Sequence, residues 1–334
     1  MRHDGPPATA GAATTDRVVS IDELERHRRA LTGYCYRMLG GGAEAEDAAQ
    51  EAIVRAWRAA GGFDGRSSVR SWLYRIATNV CIDMHRSPQR RARPVDLGPA
   101  RPPEASSLAD VLPEHAWITP IADERVLPDS SDPAEVAAAR DSIRLAFVSA
   151  LQHLPARQRA VLILADVLRW PAAEVAELLE TSTASVNSAL QRARATMAAA
   201  PPAEADTVLD DAQRALLDRY VAAFEAYDVA RLATMLHADV IQTMPPYAMW
   251  LRGVDDIAAW YVGPGIGCAG SRLLSGRANG CPAFAQYRVD PDGGHTPWAL
   301  QVLELRGDRI AAIHAFLGTR DVTRFGFPAH LPPD

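Results

Sequence analysis

Three groups of side chains in this 334-residue chain have types and spacings that could do specific work. The first runs from 63 to 86. Phe63, Trp72 and Tyr74 alternate there with Arg66, Arg70, Arg75 and Arg86, with Ser67 and Asn79 between them. Aromatic faces stack on unpaired bases and guanidinium groups follow phosphates, so this interleaving suits a grip on melted nucleic acid. The same rings would serve equally as the buried aromatic face of an ordinary helix. The second group, Thr181, Ser182, Thr183, Ser185, Asn187, Ser188, Gln191, Arg192 and Arg194, offers hydroxyl, amide and guanidinium groups that can read base edges in a major groove. The third is C-terminal. Met244, Tyr247, Trp250, Trp260, Tyr261, Trp298, His314 and Phe316 could line an apolar pocket or simply fill a core. Asp239 and His314 are the polar groups available there for an acid–base pair, but they make no diagnostic catalytic constellation. No catalytic residue, metal ligand set or cofactor is therefore expected.

The elements that must carry these groups follow from periodicity. In 43–60, Ala49, Ile53, Ala56 and Ala60 recur at helical spacing, and Asp47, Gln50, Glu51, Val54, Arg55 and Arg58 largely fall elsewhere. Gly40-Gly41-Gly42 precedes this helix, and Ser20 is a suitable N-cap for one that starts near Ile21. Residues 94–133 hold eight prolines, and seven acidic side chains against one arginine lie between 102 and 133, a composition that predicts an extended linker. Asp132-Pro133 then restarts the helices. Trp170-Pro171 begins a helix over 172–179, a turn follows at 180–182, and Ser182 caps a second helix whose buried stripe is Val186, Ala189, Leu190, Ala193 and Met197. This is a helix-turn-helix, ended by Pro201-Pro202. Beyond residue 206 the pattern is α+β. Helices are expected over 207–226, after Asp228 and over 254–262, with strands near 239–244, 247–252, 272–278, 282–289, 297–306 and 309–317.

Composition limits the function classes. The net charge is −6, and all 35 basic side chains are arginine. Residues 1–200 carry 24 arginines against 25 acidic groups, so nucleic-acid binding must rest on local patches. Arg86, Arg90, Arg91, Arg93 and Arg101 form one such patch, expected to contact phosphates. Four scattered cysteines with no CxxC pair suggest neither a zinc site nor a disulfide scaffold. Residues 1–18 lack an apolar core, read as a disordered N-terminus rather than a signal peptide, and no run reaches the ~18 residues of a membrane span. A cytoplasmic protein without membrane contact is expected.

The letters Cys35-Tyr36-Arg37-Met38-Leu39-Gly40, Glu46-Asp47, Gln50-Glu51, Arg55-Ala56-Trp57 and Trp72-Leu73-Tyr74-Arg75-Ile76-Ala77-Thr78-Asn79 resemble region 2 of the sigma-70 superfamily, in particular the extracytoplasmic-function sigma factors. Leu154-Pro155, Gln158-Arg159, Ala173-Glu174-Val175-Ala176 and Ala193-Arg194 resemble region 4. Departures from the family pattern are Ala48-Ala49, Glu180, Asn187 and Ala189. The resemblance implies that Asp47, Gln50, Glu51, Val54, Arg55 and Arg58 face RNA polymerase core. It implies that the set from Phe63 to Arg86 melts and reads the −10 element, that the set from Thr181 to Arg194 reads the −35 element, and that the linker threads the polymerase cleft. Ala222-Ala223-Phe224-Glu225, Leu236-His237-Ala238-Asp239, Met244-Pro245-Pro246, Arg252-Gly253 and Ile313-His314-Ala315-Phe316 resemble the SnoaL-like cone, a curved antiparallel sheet with helices.

The expected molecule is multidomain: a disordered segment at 1–18, a region 2 helical bundle at 19–88, a Pro-rich acidic linker at 89–133, a region 4 helix-turn-helix at 134–200, and an α+β SnoaL-like cone-shaped barrel at 206–334. Its expected partners are RNA polymerase core and promoter DNA, with a small ligand or an intramolecular partner for the C-terminal unit. An enzyme built on the cone, or a repressor using only the helix-turn-helix, would leave 43–83 unexplained.

Overall fold

The structure, a computed structural model, describes residues 19–84, 91–198, 209–318 and 322–333. The N-terminal segment 1–18, Arg86, Arg90 and Pro201-Pro202 lie outside the described residues.

The first bundle comprises α1 (Ile21–Glu25), α2 (Arg28–Leu39), α3 (Gly42–Ala59) and α4 (Val69–Met84). Ser20 Oγ accepts the Glu23 N–H at 3.2 Å and so caps α1. Gly40 adopts φ 74°, a left-handed geometry that ends α2 without a Cβ clash. The small residues Ala45, Ala48, Ala49, Ala52 and Ala56 of α3 are buried, which lets the neighbouring helices approach closely. The second bundle comprises α6 (Pro133–Asp141), α7 (Leu145–Gln152), α8 (Ala156–Leu162), α9 (Ala172–Leu178) and α10 (Thr183–Ala198). Asp132 caps α6 by accepting the Ala134 N–H at 2.9 Å, with Pro133 in the first turn.

The segment between the bundles departs from expectation. Its prolines do keep helices short. It contains single turns at Pro94–Asp96, Ala105–Leu108 and Glu114–Ala116, and then α5 (Asp123–Val126). It is not, however, a free extended strand, because Trp117, Ile118 and Ile121 are buried. A proline-rich backbone has few internal partners for its polar groups, and the edge of a sheet has unpaired ones. The two satisfy each other here. The Arg101 N–H donates to Trp250 O at 2.9 Å, the Leu112 N–H to Pro246 O at 3.0 Å, and the Trp250 indole N–H to Gly98 O at 2.9 Å.

The C-terminal unit carries α11 (Asp211–Glu225), α12 (Val229–Ala233) and α13 (Val254–Val262). Its strands are β1 (Leu236–Thr243), β2 (Trp250–Arg252), β3 (Arg272–Ala278), β4 (Cys281–Val289), β5 (His295–Arg306) and β6 (Arg309–Leu317). The sheet order is β2-β1-β6-β5-β4-β3. β1 and β6 pair in parallel, against the expectation of a wholly antiparallel sheet. Four further strands and α13 intervene between them, which gives the chain ample length to return in the same direction.

Alternation along the strands gives the sheet two apolar faces. One is covered by α11–α13 and filled by Tyr220, Phe224, Phe284, Tyr261 and Leu303. Tyr287, Leu300, Val302 and Phe316 on the other face join a single core that runs through both bundles.

Candidate nucleic-acid interface

On α3, Asp47, Gln50, Arg55 and Arg58 are exposed, and Glu51 and Val54 are half-buried. Arg55 pairs with Glu51 at 2.7 Å, and Arg28 donates to Gln50 Oε1 at 2.7 Å. Trp57, noted in the sequence only as a family letter and not among the polymerase-facing residues, is 58% exposed beside Arg58. Its signal was a large aromatic lying off the apolar stripe.

The aromatic helix α4 gives the largest correction. Tyr74 is 1% exposed, with its ring centroid 5.1 Å from Tyr34 and 5.0 Å from Trp170 of the second bundle. Burial pushes its hydroxyl pKa up. Trp72 is buried too, its ring 4.9 Å from Phe63. Positions i and i+2 lie on different sides of a helix, so the two rings cannot form one stacking platform. Here α4 packs on both sides, and both rings go into cores. The Arg70 guanidinium lies over Trp170 at 4.9 Å and near Tyr74 at 5.7 Å, so the interleaving of rings and cations is used for internal cation–π contacts. Arg66, Arg70 and Asn79 stay exposed, and Phe63, Ser67 and Arg75 are half-buried. Arg66 pairs with Asp64 at 2.5 Å.

The basic patch is also corrected where it is described. Arg91 pairs with Glu44 and donates to Trp117 O at 2.8 Å. Arg93 pairs with Asp96 at 3.0 Å and Arg101 with Asp110 at 3.1 Å. Glu44 lies in a different element, so its opposition to Arg91 could not be read from neighbouring letters.

On α10 and the turn before it all nine candidate residues, from Thr181 to Arg194, are exposed, while Val186, Leu190 and Ala193 are buried beneath them. Ser182 Oγ accepts the Ser185 N–H at 3.1 Å, as a cap should. Arg194 pairs with Asp166 at 2.6 Å and Arg192 donates to Ser188 at 2.6 Å, so each guanidinium is held over the helix surface.

The C-terminal pocket residues are not brought together. Met244, Trp260, Tyr261 and the partly buried Tyr247 belong to the helix-covered face, where a pocket between Tyr220, Leu236, Tyr261 and Ile313 has room for about 10 Å³, no more than a single water needs. His314 and Phe316 belong to the opposite face. His314 is 1% exposed, with Nδ1 3.0 Å from Thr243 Oγ1 and Nε2 3.4 Å from Glu304 Oε1. Burial raises the Glu304 carboxyl pKa, but the His314 ring and the charges of Arg93 and Arg144 outweigh this and hold it below the usual value. Trp250 covers the linker, and Trp298 lies under Arg288 at 3.7 Å. Asp239, the suggested partner of His314, is exposed on β1.

The residue that ties these parts together was also missed. Asn279 is fully buried at the β3–β4 turn, with φ 55°. Its Nδ2 donates to Tyr36 Oη at 2.6 Å and Ile143 O at 2.8 Å, its Oδ1 accepts the Ile121 N–H at 3.1 Å, and its own N–H donates to Ile121 O at 3.1 Å. One side chain thus touches the first bundle, the linker and the second bundle. Next to it, Asp123 accepts the Gly280 N–H at 2.7 Å and pairs with Arg277 at 3.1 Å. Asn-Gly is a strong hairpin signal, and that was the only part of its role its neighbours in sequence could reveal.

Residues 24–91 match Sigma-70 region 2, residues 144–197 match Sigma-70 region 4, and residues 217–313 match the SnoaL-like domain. ECF RNA polymerase sigma factor SigG of Mycobacterium tuberculosis is 44% identical over 312 residues, covering 92% of this chain and 83% of the relative. The chain belongs to the ECF RNA polymerase sigma factors. SigJ of the same organism is 28% identical over 292 residues, covering 81% of this chain and 85% of SigJ. The crystal structure of SigJ shares the fold, with a TM-score of 0.55 at 24% identity, covering 91% of this chain and 99% of that one. This ECF sigma factor therefore works with RNA polymerase core in promoter-directed initiation of transcription. Its two sigma regions are the two bundles, and the SnoaL-like domain is the sheet unit packed on both. Among the described residues no helix is long and apolar enough to cross a membrane, and no cluster of three potential metal ligands occurs.

Proposed function

We propose that this sigma factor is held closed by its own SnoaL-like domain, and that the domain modulates initiation without catalysing a reaction. Asn279 carries this reading, since one buried side chain bonds to all three parts that must separate. The −35 and −10 elements lie roughly 25 base pairs apart, about 85 Å of duplex at 3.4 Å per base pair. In this structure α4 touches the start of α9, and α10 lies only one helix further on, at about 10–12 Å per helix diameter. A molecule in this arrangement cannot span both elements, so promoter engagement requires opening. In the open form the −10 contacts fall to Arg66, Ser67, Arg70, Arg75 and Asn79, and the Phe63–Trp72 pair, which lies within region 2, parts to stack on an extruded base. The −35 contacts fall to the exposed face of α10. Asp47, Gln50, Glu51, Val54, Arg55 and Arg58 dock on core polymerase from a face that is already accessible. A cytoplasmic location follows from the same partners.

Run-off transcription with purified core polymerase tests the proposal. The Asn279→Ala chain should initiate several-fold more often than the unaltered chain on the same promoter. Equal rates, with both proteins folded, would sink it.

A further inference from the structure

Beneath α11–α13 the pocket beside Tyr261 is small, but a cavity of about 530 Å³ lies where region 2, the linker and the SnoaL-like domain meet. Region 2 contributes Ala43 and Glu46 to its wall, the linker contributes Glu114, Trp117 and Ile121, and the SnoaL-like domain contributes Pro246, Phe316 and Arg324. The volume falls in the range of small-molecule sites, and the lining is mainly apolar with a few charges, as such sites require. The wall carries two carboxylates, Glu46 and Glu114, and the Arg324 guanidinium, and Arg125 approaches Glu46 from beside the wall. Glu46 is only loosely engaged, at 4.0 Å from Arg324 and 3.7 Å from Arg125. Glu114 is exposed.

We propose that this junction cavity is an effector site for a small apolar amine, a hydrophobic ring body bearing one ammonium group. The ring would lie against Trp117, Ile121 and Phe316, with the ammonium toward Glu46. The proposal rests on the closed-form reading above and adds its control. Walls drawn from three parts meet only while the molecule is closed. A ligand that needs all of them binds the closed form alone and shifts the population toward it.

Calorimetric titration of the full chain tests this with three probes, 1-naphthylmethylamine, the neutral 1-naphthylmethanol and the anionic 1-naphthoate. The amine should fill one saturable site per chain and bind more tightly than the carboxylate. Ala43→Phe, which fills the cavity from α3, should abolish binding. Glu46→Gln should weaken the amine about fivefold and leave the alcohol unchanged. Absence of saturable amine binding to folded protein overturns the site, and so does binding indifferent to both substitutions. Small-angle scattering of Asn279→Ala separates this proposal from the one it rests on. If that variant expands while the unaltered chain takes no amine, the clamp stands and the site falls. If the amine binds with the expected sensitivities while Asn279→Ala stays compact and transcribes normally, the clamp falls and the site stands. Undiminished amine binding to an expanded Asn279→Ala chain overturns the three-walled site.

Discussion

A guanidinium held 4.9 Å above an indole is not at the same moment on a phosphate, and Arg70 is held in that way by Trp170. The residues of α4 therefore divide by what they touch. Tyr74 lies in a core between two bundles, and Asn79 touches solvent. Tyr74→Ala removes a buried ring and should lower stability by about 3–5 kcal/mol in urea unfolding, the usual range for such truncations. Asn79→Ala should leave stability within about 0.5 kcal/mol and instead reduce promoter opening, read as permanganate reactivity of unpaired thymines. A stable Tyr74→Ala protein would mean that the ring is not structural. Asp47→Ala and Gln50→Ala should likewise spare folding. Their expected defect is weaker association with core polymerase, seen in a competition assay against the unaltered chain.

Elements were legible where local chemistry decides them. Ser20, Asp132, Ser182 and Asp228 each cap the helix that begins after them, and α13 occupies the 254–262 window that periodicity assigns. What was not legible is where one element meets a distant one. Tyr74 and Trp170 are far apart in sequence, so no window could show that the stacking surface is covered. Nor could it show Glu44 neutralising Arg91, or the linker sealing the β2 edge. The pocket expectation failed similarly. The interior-facing aromatics were recognised, but not their division between the two faces of the sheet, and the pocket beside Tyr261 admits little more than a single water. The α10 helix allows a direct test because its candidate residues are exposed, and the Arg192 side chain bonds within the helix, to Ser188. Arg192→Ala should weaken −35 duplex binding and, if it removes one phosphate contact, reduce the slope of log affinity against log salt by about 0.9. Ser182→Ala should cost about 1 kcal/mol of stability through the lost cap.

At the scale of the whole molecule, the sheet face turned toward the sigma regions carries charge as well as apolar surface. Glu304 lies among His314 of the neighbouring strand, Arg93 of the linker and Arg144 of region 4, so its ionised form helps hold the closed arrangement. These neighbours keep its folded pKa below the ordinary glutamate value of 4.5 in spite of burial. A carboxyl depressed on folding stabilises the native state above its unfolded pKa, and the contribution disappears as pH falls through the lower, folded value. Glu304→Gln should therefore be less stable than the unaltered chain at pH 6–7, and the gap between them should close as pH falls below about 4.5. Urea midpoints across pH 3–7 measure this directly. A gap that stays constant with pH would assign the loss to packing, and one that widens toward acid would mean that Glu304 is protonated more readily in the folded chain than in the unfolded one.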